Sequence, residues 1–153
     1  YSGNVTFVPY LDGDIRNEDS NYDEDFWIEV DRSVSDHKAS LVMKTKDNPF
    51  GTPTFQAATV MQTVADGKMV NVSGSQKSEY VENIIEMETE QGVAATLYKY
   101  VAVTTDRDYE GSELISKAED VLARSVPCFV TRICPSKWVV RTQIKSRATR
   151  RIL

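Results

Sequence analysis

The sequence has one histidine, two cysteines and seven glycines in 153 residues, and its last 28 residues hold no Asp or Glu. Each scarcity excludes something. A lone histidine cannot supply a multi-imidazole metal site, and His37 sits in the polar turn Ser33 to Lys38, where a surface imidazole is expected rather than a base or a ligand. Cys128 and Cys134 have neither the spacing of a thiol redox pair nor that of a zinc knuckle. The glycines are scattered at turn positions and form no phosphate-cradling loop. No apolar run approaches the ~20 residues of a membrane span. The opening Tyr1-Ser2-Gly3-Asn4 lacks the basic and apolar regions of a signal peptide, so no membrane partner and a cytoplasmic location are expected. Without a secretory signal, the glycosylation triplets at Asn4 and Asn71 are expected to stay unused.

What is present suits one ordinary domain: 41% hydrophobic and 27% charged residues, enough to bury a core. Charge is divided sharply along the chain. All 23 acids lie in residues 1–125, whereas residues 126–153 carry seven of the 18 Lys and Arg. That tail, with Phe129 and Trp138 among its basic residues, resembles in composition an arm that binds phosphates by counterion release. Its basic residues form no single face or dense block, so nucleic acid is not the expected partner.

Up to about Thr105 the dominant pattern is alternation, with β-branched and aromatic residues in runs separated by Gly, Pro, Asn and Asp. The predicted strands are Val5 to Leu11, Phe26 to Val30, Ser40 to Lys46, Thr54 to Thr63, Lys68 to Val72 and two runs flanking Gln91-Gly92. In the first of those two, Val81, Asn83, Ile85 and Met87 alternate with Glu82, Ile84, Glu86 and Glu88, and a hairpin to Ala95–Thr105 is expected. In Phe26 to Val30, Phe26, Ile28 and Val30 share one face and Glu29 points to the other. The period then changes. Leu114, Ile115, Ala118, Val121 and Leu122 mark one face of an amphipathic helix over Ser112 to Ser125, with Ser112 placed to cap it and Glu113 four residues before Lys117. Seven or eight antiparallel strands followed by one helix imply an all-β fold, an antiparallel β-sandwich with a helix leading away.

The acidic stretch Asp12 to Asp25 offers two chemistries. Asp19-Ser20-Asn21-Tyr22-Asp23 imitates the first half of a calcium loop, but Glu24 stands where the sharp turn needs Gly and Val30 where a bidentate Glu belongs. Paired carboxylates could do general acid and base work, yet nothing selects a pair or shields one of its members. No metal and no cofactor are therefore expected, and a solvated or interface loop is. Trp27, in a strand beside Phe26, reads as packing before it reads as a sugar platform.

Leu11-Asp12-Gly13-Asp14-Ile15-Arg16-Asn17-Glu18-Asp19-Ser20-Asn21-Tyr22, followed by Phe26-Trp27, resembles glycoside hydrolase family 65, above all its maltose phosphorylase branch. The resemblance continues through the turn Lys44-Thr45-Lys46-Asp47-Asn48-Pro49. It extends to Lys99-Tyr100-Val101 and Thr104-Thr105-Asp106-Arg107-Asp108, which look like the last strand of the family's amino-terminal domain. About residues 4–125 are covered.

The resemblance implies the second half of an amino-terminal β-supersandwich of galactose-mutarotase type over residues 1–110. It implies the start of a helical linker over 111–125, and leaves a non-homologous basic tail over 126–153. A reading-frame shift near Ser125 would account together for the tail's lack of acids, its cysteines and the end of the resemblance. Members of the family cleave α-glucosidic bonds such as that of maltose with inversion, most using phosphate to release β-glucose 1-phosphate. Their general acid is a Glu in an (α/α)6 barrel that has no counterpart in this sequence. No catalytic role therefore passes to any residue here, and the chain itself is expected to be noncatalytic. The implied partner is that barrel in the parent protein, a homodimer, with α-glucoside and phosphate bound in the parent only. A loop motif this specific is more often contact than core, so Asn17, Asp19, Asn21, Tyr22 and Trp27 are the candidate interdomain or subunit contacts. A stand-alone carbohydrate-binding sandwich is the alternative reading. Half of a supersandwich is also expected to leave strand edges and an apolar face uncovered.

Overall fold

The computed structural model describes residues 2–15 and 25–131, the last six as backbone. Among them are eight strands, all paired antiparallel: β1 (Gly3–Phe7), β2 (Tyr10–Asp12), β3 (Trp27–Val34), β4 (Lys38–Thr45), β5 (Gln56–Asp66), β6 (Lys68–Lys77), β7 (Tyr80–Thr89) and β8 (Thr96–Thr105). A 3₁₀ turn at Gly111–Glu113 leads into α1 (Leu114–Thr131). The fold is an antiparallel β-sandwich with a linker helix.

One sheet is built around β7, which pairs with β6 along one edge and with β1 and β2 in tandem along the other. The second sheet has the order β3-β4-β5-β8. The alternation in β7 has its expected cause, since Val81, Asn83, Ile85 and Met87 are fully buried against the second sheet. Leu11, Ala39, Leu41, Met43, Met61 and Val81 form the core between the sheets, with Trp27 and Val34 packed on its margin.

Two expectations about the strands change. The predicted run Val5 to Leu11 is two strands, because Pro9 has no N–H to give a ladder; its carbonyl instead accepts the Asn83 N–H at 2.9 Å. The runs flanking Gln91-Gly92 do not form a hairpin. β7 lies in one sheet while β8 pairs with β5 in the other, so this connection crosses the sandwich. In β3 the alternation holds as read: Phe26, Ile28 and Val30 share the exposed side, and the partly buried side belongs to Trp27 and Glu29.

Helix α1 lies on the outer face of the second sheet. Leu114 packs with Val42 and Ala58, while Ala118 and Leu122 pack with Val60 and Ala102. The helix continues past Ser125 to Thr131, through Pro127. Ser112 lies inside the 3₁₀ turn rather than at a cap, and Val121 is 38% exposed rather than docked.

Candidate functional site

The connections at one end of the sandwich come from three distant stretches of sequence. The first is the end of β2. Asp12 accepts the Asp14 N–H through its carboxylate at 3.1 Å, and the Gly13 N–H reaches the Glu79 carbonyl at 2.7 Å. Gly13 sits close against the core: a Cβ there would stand 2.8 Å from the Met43 sulfur and 3.0 Å from a Leu41 methyl, so those side-chain ends would have to shift. This gives the Leu-Asp-Gly motif a physical reading: a buried Leu, an Asp that closes the turn, and a Gly that admits the core.

The second stretch is the β4–β5 connection. At its base Thr45 and Phe55 bond each other twice: the Thr45 N–H donates to the Phe55 carbonyl and the Thr45 hydroxyl accepts the Phe55 N–H, both at 2.8 Å. At its tip Asn48 acts as a side-chain clasp. Its Oδ1 accepts the N–H groups of Phe50 (3.0 Å) and Thr52 (3.3 Å), and its Nδ2 donates to the Thr52 carbonyl (3.1 Å). Gly51 takes the left-handed conformation, φ +67°, that this turn requires.

The third stretch follows β8. Asp106 pairs with the Gln56 backbone, its N–H donating to the Gln56 carbonyl and its carboxylate accepting the Gln56 N–H. The Arg107 guanidinium stands over the Phe55 ring at 5.3 Å. Trp27 meets the same Phe55 edge-on at 6.0 Å, and the Lys46 N–H bonds the Phe26 carbonyl. A cleft of about 130 Å³ opens here, with Leu11, Gly13, Ile15, Trp27, Met43 and Ala57 in its lining.

Of the candidate contacts, Trp27 belongs to this end, partly buried at the cleft. Asn17, Asp19, Asn21 and Tyr22 lie outside the described residues, as does the Asp19–Asp23 half of the calcium-like pattern. His37 is at the opposite end, where its carbonyl accepts both the N–H and the hydroxyl of Thr63. Phe50, Phe55 and Arg107 are additions that the sequence signalled only weakly. Asn-Pro-Phe-Gly is a turn signature, but no pattern announces that its aromatic side chain will be left in solvent.

Asp12, Asp106 and Asp108 are exposed, and the carboxylate of each accepts a hydrogen bond at this end of the sandwich. Among the described residues no group of three or more His, Cys, Asp or Glu is placed to hold a metal ion. Acidity shifts on side chains beside β2, where Tyr80 pairs in register with Asp12. Tyr80 is pushed up to about 12 by burial and by its bond to Glu82, and burial lowers Lys99, whose ammonium donates to the Tyr10 carbonyl.

A β-sandwich with an exit helix, whose motif-bearing turns gather at one end and carry aromatic and arginine side chains, defines an all-β domain. The chain belongs to glycosyl hydrolase family 65, matching that family's N-terminal domain over residues 1–130. It is 44% identical over 119 residues to maltose phosphorylase of Bacillus subtilis (strain 168), covering 78% of this chain and 15% of that protein. It is 29% identical over 133 residues to alpha,alpha-trehalose phosphorylase of Thermoanaerobacter brockii, covering 82% of this chain and 17% of the relative. The chain thus spans less than a fifth of the length of these relatives.

Proposed function

We propose that this chain is the noncatalytic β-sandwich of a family 65 α-glucoside phosphorylase, and that the end carrying Trp27, the Asn48 turn and Asp106–Asp108 is its contact with the catalytic part of the parent. The observation that carries the reading is the convergence. Three stretches that resemble the family and are separated by up to about ninety residues of sequence meet around Phe55, where Trp27 and Arg107 both reach its ring. The reaction proposed for the parent is cleavage of maltose or a related disaccharide by phosphate, giving β-glucose 1-phosphate and glucose. The partner is a helical catalytic barrel outside residues 1–153, in a cytoplasmic homodimer. No described helix is long and apolar enough to cross a membrane.

The alternative of a stand-alone sugar-binding module gains little from Trp27. Its ring is partly buried, packed against the core and in T-shaped contact with Phe55, and so is engaged within the domain. The test exchanges the aligned segment of the Bacillus enzyme for the matching residues of this chain. The reading expects maltose phosphorolysis from the exchanged enzyme and none from the chain alone. Turnover by the chain alone, or saturable micromolar binding of maltose to it followed by Trp fluorescence, would refute it.

A further inference from the structure

Phe50 is 88% exposed, the most exposed large hydrophobic side chain among the described residues. It is not at a loose tip. The Asn48 side chain holds Phe50 N–H, Thr52 N–H and Thr52 carbonyl, the Thr45–Phe55 pair closes the base, and Gly51 completes the turn at φ +67°. An apolar ring held in water by a fixed backbone gains nothing for this domain's own stability. The same geometry lowers the cost of binding, because the segment that presents the ring is ordered beforehand. Its surroundings have the composition of a binding hot spot, with Trp27, Phe55 and Arg107 at the same end and the charged Lys46, Asp47, Asp106 and Asp108 exposed around them.

We infer that Phe50 is the anchor of this domain's contact with its catalytic partner, its ring entering an apolar pocket in the part of the family 65 polypeptide outside residues 1–153. The inference rests on the domain reading above and adds to it the residue that carries the contact. The occupant is placed in the same polypeptide because this chain covers only 15% and 17% of the relatives it matches, and the bulk of such a polypeptide lies outside residues 1–153.

The test compares Phe50→Ala and Phe50→Leu in two settings: the chain alone, and the Bacillus enzyme carrying this chain's segment. In the chain alone, F50A should leave the urea midpoint and the oligomeric state unchanged. In the exchanged enzyme it should speed thermal loss of phosphorolysis by about tenfold or more, as expected when an anchoring aromatic is removed. F50L should recover part of that loss, and hydrogen exchange at residues 46–55 should be slower in the enzyme than in the chain alone. Inactivation within about twofold of the unsubstituted exchange would overturn the anchor while leaving the domain reading intact. An equal loss of stability in the chain alone would make Phe50 a structural residue and overturn it too. Self-association of the chain that F50A abolishes would assign the ring to a second copy. An unsubstituted exchange with no phosphorolysis would remove the domain reading, and the anchor with it.

Discussion

Val121 and Leu122 are adjacent apolar residues that the sequence pattern places on the same helix face, and their surroundings separate them. Leu122 is 2% exposed and packs with Val60, Ala102 and Ala118, with Tyr100 and Ile115 at the margin. Leu122→Ala therefore loses the transfer free energy of its removed carbons and leaves a cavity, together about 2–5 kcal/mol for a buried Leu. A helix docked on one face can settle partly into the gap, which argues for about 3 kcal/mol. Val121 is 38% exposed. Val121→Ala loses a little burial and gains up to about 0.5 kcal/mol of helix propensity, so the net change stays within about 0.5 kcal/mol. With a urea slope of about 2 kcal/mol/M, the Leu122 variant should unfold about 1.5 M earlier and the Val121 variant at nearly the parent midpoint. Equal midpoints, or a larger loss for Val121→Ala, would refute the docking of α1 through the Leu114, Ala118 and Leu122 stripe.

Other outcomes follow from single sites. Asn83 is fully buried, and its amide donates to the Ser35 carbonyl at 2.6 Å. Asn83→Asp replaces that donor by a buried carboxylate and should cost about 3 kcal/mol near neutrality, recovering as the pH falls and the carboxyl regains a proton, measured by urea midpoints from pH 4 to 8. Gly74→Ala puts a Cβ 2.5 Å from a Val34 methyl where β6 crosses β3, so it should cost about 1–3 kcal/mol in the same assay. Tyr80, raised from 10.0 to about 12, keeps its proton in the folded state where the unfolded chain has lost it. Its contribution to stability is complete below pH 10 and disappears as the pH rises to about 12. Ultraviolet titration should show a late phenol that Tyr80→Phe removes, and an unchanged late phase in that variant would contradict this.

Much of the fold is legible in the sequence because it depends on local pattern. The β7 alternation, the strand-to-helix change after Thr105 and the Leu114-Ala118-Leu122 stripe each follow from one element burying one face. Pairing across sheets is less legible. Gly92 suggests a hairpin, but β8 finds β5 some 40 residues away in sequence, a choice made by the whole core rather than by the turn. Apolar content alone also does not decide which face of β3 turns inward. Trp27 and Glu29 occupy the inner side, Glu29 because Arg32 and the Glu79 N–H, at a left-handed position with φ 58°, satisfy its carboxylate. Exposed apolar side chains occur on both edge strands of the described second sheet, Ile28 and Val30 on β3 and Val101 and Val103 on β8. At the candidate contact end, the sequence shows the Leu-Asp-Gly and Asn-Pro turns. It does not show that Phe55 will bring Trp27 and Arg107 together, since that meeting is made by strand register.

The most direct test of the contact end compares hydrogen exchange of this chain alone with exchange of the same segment inside the Bacillus enzyme. Protection should be gained at residues 11–15, 25–27, 44–56 and 104–108, with the His37 end unchanged. Protection gained at the His37 end, or nowhere among the three converging stretches, would contradict the assignment of that end as the domain's contact surface.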